Sequence, residues 1–262
     1  MPLALKACAE PSGHRIAFRG RSPSTIQPSM KPLAIIVGLA VFAGSCSRSD
    51  TTVVFYKGAG YEPSWRDQAA IRTIAERTVA ELRPLLPLPP GEIIIRVMPD
   101  RLTNDWGTSG TSAQPNVVYW RVDPTRPESV RQIAGTYMRE ILFHEFHHLV
   151  RGQSQPYFTL MDKVVTEGLA TAFERDFAHA KAVPFGEYPP EAGEWLHELQ
   201  NVRPGESDNP WMSRHPDGRR WIGYKVGTYL ADRAMKATGK SSAELARMPT
   251  EEVIALASAN GR

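Results

Sequence analysis

Residues 141–150 read ILFHEFHHLV, and no other stretch limits so sharply what this chain can fold into. It contains His144-Glu145-Phe146-His147-His148, an H-E-x-x-H sequence, with Ile141, Leu142, Leu149 and Val150 at apolar helical positions around it. On a helix, positions i and i+4 lie about 40° apart around the axis and roughly 6 Å apart along it. Two imidazoles at that spacing converge on one small cation. Zinc takes nitrogen, oxygen and sulfur donors tetrahedrally and keeps one position open in catalytic sites. His144 and His148 are therefore the candidate metal ligands, and Glu145 is the candidate base for an attacking water. His147 turns about 60° away from His144 and is expected to be buried behind the site rather than to ligate. The competing reading is a surface helix with incidental histidines, and the amphipathic setting argues against it.

Two histidines leave zinc short of a donor, and a carboxylate from a neighbouring helix is one standard supply. A second helical pattern runs over residues 159–180 and contains Thr166-Glu167-Gly168-Leu169-Ala170. Antiparallel helices would bring Glu167 over the histidines. Gly168 costs about 1 kcal/mol against alanine in a helix and is expected to let the two helices approach closely. The bland alternative makes Glu167 a solvated carboxylate. Ligating histidines anchor their other ring nitrogen to a carboxylate or carbonyl; Asp162, Glu174 and Asp176 are the candidates for that role. His179 and His197 read as surface residues.

HEFHH followed by TEGLA resembles the gluzincin arrangement of zinc peptidases, in which the third ligand is a Glu on a following helix. The closer resemblance is to a bacterial family of predicted zinc-dependent proteases that pair a HExxH helix with an EGLA segment and a later G-Y-x-x-G. Gly223-Tyr224-Lys225-Val226-Gly227 fits that last motif, and the resemblance covers about residues 133–234. It implies a zincin-like peptidase fold, Zn2+ as the cofactor and a peptide or protein as the substrate. Tyr224 is then a candidate to donate its hydroxyl to the oxyanion of a tetrahedral intermediate, against the plainer reading of an aromatic that packs the last helices together. His215, in the Pro/Gly/Asp-rich loop 203–218, is a second candidate for that role, and the loop itself a candidate gate.

The rest of the chain reads as α+β. Strand patterns at residues 53–56, 93–98 and 116–122 and a helix over 64–83 predict a small mixed or antiparallel sheet in the part 53–125. The Gly/Ser/Thr-rich segment 107–114 reads as a loop, and residues 117–121 as an edge strand open to β-addition by a peptide. The part 127–262 is mostly helical: a long pattern over 127–150, broken near Gly135 and stopped at Gly152, then helices over 191–199, 221–237, 241–247 and 250–259.

Residues 1–45 form a leader. Met30-Lys31-Pro32, a candidate true start, precedes the apolar run 33–43, and Ala43-Gly44-Ser45-Cys46 resembles a bacterial lipobox with Ala43 where Leu is usual. Cys46 is the expected site of lipidation, which would tether the domain 46–262 in the bacterial cell envelope. The net charge of +3 belongs to this leader: without it 26 basic residues face 27 acidic ones. No basic stripe remains to engage nucleic acid. The only other cysteine, Cys8, also lies in the leader, so no disulfide is expected in the domain. A lipid-anchored binding or regulatory protein with a vestigial or non-peptidase zinc site is the alternative, and the intact Glu145 speaks against the vestigial form.

Overall fold

The computed structural model describes residues 51–155, 158–180, 185–203 and 205–259. The apolar run of the leader and Cys46 lie outside them. β-branched runs build the sheet: β1 (Thr51–Phe55), β2 (Ile93–Pro99), β3 (Thr108–Gln114) and β4 (Val117–Val122). Along β2, Ile93, Ile95 and Val97 are buried while Ile94, Arg96 and Met98 between them are less so, the period of a strand with one face on a core. The order is β1-β2-β4-β3; β1 and β4 run parallel to β2, and β3 is antiparallel to β4. The parallel β1–β2 pair requires a crossover, supplied by α1 (Trp65–Leu82), whose capping box joins Ser64 and Asp67.

Two expectations are corrected here. Within segment 107–114, read as a loop, Thr108–Gln114 is a strand, because β4 supplies its ladder of hydrogen bonds where side-chain propensity alone would not. Residues 117–121 are consequently an inner strand, held by β2 on one side and β3 on the other. The edge on that side belongs to β3.

The helical half begins with α2 (Val130–Ile133), passes through a π-helical turn at Ala134–Met138, and continues as α3 (Arg139–Gly152). The break expected near Gly135 thus takes the form of a π turn, and the helix ends at Gly152, its last residue. Next come α4 (Leu160–Ala178), α5 (Ala192–Gln200), α6 (Asn209–Met212), α7 (Ile222–Thr238), α8 (Ser242–Leu245) and α9 (Thr250–Ala259). One apolar core lies between the sheet, α1 and α3 and includes Ile71, Trp120, Leu142 and Phe146. A second joins α4, α7 and α9 through Val165, Leu169, Val226, Leu230 and Val253. Phe143 of α3 stacks on Phe173 of α4 at 5.5 Å, binding the halves across the helix that carries the motif. Gly168 packs against α7, not α3: a Cβ there would overlap the backbone of Gly227. Among the described residues no helix is long and apolar enough to cross a membrane.

Candidate metal centre

One face of α3 and the π turn before it carries Tyr137, Glu140, Ile141, His144, Glu145 and His148, successive turns of a single stripe. This stripe faces two adjoining cavities between α3, α4, α7 and the edge strand β3. The rings of His144 and His148 meet edge to face with centroids 4.6 Å apart. Their Nε2 atoms are 3.0 Å apart, and Glu167 Oε2 lies 3.1 Å from the first and 3.3 Å from the second. All three donors are within 4.8 Å of one another, a group that could hold a metal ion. Zinc bonds of about 2.0–2.1 Å in a tetrahedron put neighbouring donors roughly 3.3 Å apart. The donor set therefore fits zinc without rearrangement.

Its electrostatics fit as well. Burial works against a charged imidazole, yet hydrogen bonding to Glu167 and Glu174 outweighs it and holds His144 well above its ordinary pKa. Burial likewise works against the Glu167 carboxylate, but His148 and His144 hold it well below the usual range. The cluster draws positive charge to its centre, a demand a divalent cation also meets. Glu174, two turns beyond Glu167 on α4, holds His144 Nδ1 at 3.1 Å and so fixes which nitrogen faces the cluster. Asp162 instead caps α4 with Thr159, and Asp176 pairs with Arg175.

Glu145 lines the same cavity and is almost fully buried. Burial raises its pKa, opposed by His148 and His144 and by a hydrogen bond with Ser112 of β3. The strand can come this close because residue 110 is glycine: a Cβ there would stand 2.5 Å from Glu145 Cγ and 2.6 Å from Ile141 Cγ2. Gly110 was invisible as a site residue in the sequence, although a glycine inside a strand marks close approach. Tyr224 reaches the cavity from the first turns of α7, and burial together with the carboxylates of Glu167 and Glu145 raises its phenol pKa. Gly223, beside it, faces the Met212 sulfur, so the glycines of the last motif serve helix packing.

Other histidines lie elsewhere. His147 is fully buried; its Nε2 lies 3.2 Å from the Ser242 carbonyl, and burial lowers its pKa to about 3. His215 pairs with Asp217 at 2.9 Å and packs on Trp211, outside both cavities. His179 and His197 are exposed.

Compared with known proteins, residues 71–255 match the family described as predicted Zn-dependent protease (DUF2268). No curated protein matches the chain.

Proposed function

Because the chain belongs to the predicted Zn-dependent protease family, we propose that it is a zinc metallopeptidase that cuts peptide bonds at the His144–His148–Glu167 cluster. The carrying observation is the convergence of those three donors within 4.8 Å beside a buried carboxylate, Glu145, on the floor of a cleft bordered by an edge strand. Held by the three side chains, zinc would supply Lewis acidity to the scissile carbonyl and to water. Glu145 accepts a proton from the water whose oxygen attacks the carbonyl carbon. It returns that proton to the amide nitrogen as the C–N bond breaks. Tyr224 donates its hydroxyl to the oxygen that gains charge. Gly110, Thr111 and Ser112 line the cleft on the free side of β3, where an extended peptide can add as a further strand.

The apolar run 33–43 and Cys46 support export to the bacterial cell envelope and lipid anchoring. Incorporation of labelled palmitate into the wild type but not into Cys46→Ala tests the anchor. For the centre, elemental analysis of the purified full chain is set beside Glu167→Ala. About one zinc per chain, lost in the variant, supports the three-donor site. Zinc in neither protein after addition of the metal overturns it. Cleavage of a peptide library by the wild type but not by Glu145→Gln then tests the reaction.

A further inference from the structure

The second cavity holds about 220 Å³, less than the roughly 300–1,000 Å³ of a small-molecule or cofactor site. It suits one side chain. It shares Gly110, His144, Glu145 and Tyr224 with the cleft over the metal cluster, so whatever enters it adjoins the reacting bond. Trp106, Tyr137, Ile141 and Phe185 give it aromatic and aliphatic walls, beside the polar Asn104, Thr108 and Ser109. Two further carboxylates, Glu140 and Glu174, also line it, and no Lys or Arg is among its lining residues.

The two carboxylates differ. Glu174 is committed to His144 Nδ1. Glu140 makes no hydrogen bond or ion pair with the described residues, although it is half-buried and carries the repulsion of Glu174. Its neighbour Arg139 attracts it without touching it: that guanidinium is hydrogen-bonded to Glu81 and to the carbonyl of Ala178. A carboxylate in this position lacks the hydrogen-bonded partner that a half-buried charge ordinarily has. Aromatic and aliphatic walls leading to such a charge match a side chain with an apolar stem and a cationic end.

We propose that this cavity is the pocket for a lysine or arginine side chain of the substrate, its stem held between Tyr137, Ile141 and Trp106 and its cation by Glu140. The inference rests on the peptidase reading for the word substrate, and on the cavity alone for the recognition of a basic side chain. Among substrates the pocket selects peptides carrying Lys or Arg at one position next to the scissile bond. A neutral residue of the same length loses the ionic contact and leaves Glu140 unpaired.

The test separates binding from turnover. Two peptides that differ only in lysine against norleucine, its uncharged near-isostere, are titrated calorimetrically into the zinc-loaded full chain and into Glu140→Gln. Wild type is expected to bind the lysine peptide about 10- to 100-fold more tightly, the range given by a hydrogen bond to a charged group. Glu140→Gln is expected to lose that preference while binding the norleucine peptide as before. Equal binding of the two peptides by wild type overturns the pocket, and this comparison needs no variant to fold. A preference that survives in Glu140→Gln also overturns it. Cleavage is then followed on the same pair. A chain that prefers lysine in binding but cuts neither peptide keeps the pocket and sinks the peptidase reading. One that cuts both peptides without preference does the reverse.

Discussion

His144 shows what one residue's two nitrogens can settle. Nε2 faces Glu167 and His148 while Nδ1 is held by Glu174, so the ring's orientation is decided outside the cluster. Glu174→Ala is expected to weaken zinc binding about 10- to 100-fold with the fold intact, as loss of such supporting contacts does elsewhere; competition against a chelator of known affinity measures it. Glu145→Gln should keep its zinc and lower cleavage about 10²- to 10⁴-fold, the worth of a positioned base, read from metal content and rate on one preparation. Asp123 works at a distance from the chemistry. Its buried carboxylate accepts from Thr125 and from the backbone N–H of Leu102, contacts that overcome the burial penalty and hold its pKa below the usual range. Being depressed in the folded state, it contributes stability above an unfolded value near 3.9, and that stability is lost as pH falls through the folded value. Asp123→Asn is thus expected to lower stability at pH 7 by on the order of 1 kcal/mol, read from the urea midpoint. The gap to wild type should close below about pH 4.

At the scale of elements, glycines set the distances. Gly168 of α4 and Gly227 of α7 meet backbone to backbone, and this contact places Glu167, one residue before Gly168, over the HExxH helix. Gly227→Ala would drive its Cβ into the Val164 carbonyl and Gly168. We expect it to destabilise the protein by about 1–3 kcal/mol, as overpacking does, and to weaken zinc binding with it. Gly110→Ala acts on a different pair. It pushes β3 against Glu145 and Ile141, so cleavage should fall at least tenfold while zinc content holds, because Glu145 is not among the three donors.

Across the whole molecule, Arg151 is the tie. Fully buried at the end of α3, it donates to the Thr166 and Thr250 hydroxyls and to the carbonyls of Ala246 and Met248. Among the described residues no carboxylate is hydrogen-bonded to it; burial lowers its pKa to about 10, and Asp162 and Glu251 attract it from further off. It joins the HExxH helix to α4 and to the turn between α8 and α9. Arg151→Met leaves those carbonyls without a donor and is expected to lower stability by about 2–5 kcal/mol, read from the urea midpoint.

The sequence by itself determined which residues are candidates for the proposed chemistry and the helices that bear them. His144, Glu145 and His148 share a face because their spacing is local and a helix converts spacing into direction. Glu167 was legible as a candidate donor from its motif, and the α+β order from the two hydrophobic periods. The tertiary structure decided what depends on partners distant in the chain. Segment 108–114 is a strand because β4 completes its hydrogen bonds, although its Gly, Ser and Thr content reads as loop. Gly168 answers to Gly227, 59 positions on, and Arg151 looks like a solvated helix end until residues 246–250 close over it. Glu174 was one of three candidate carboxylates, and Glu140 was none, until packing put one on His144 and left the other lining the second cavity. Local spacing fixes what a side chain can do; long-range packing fixes what it meets.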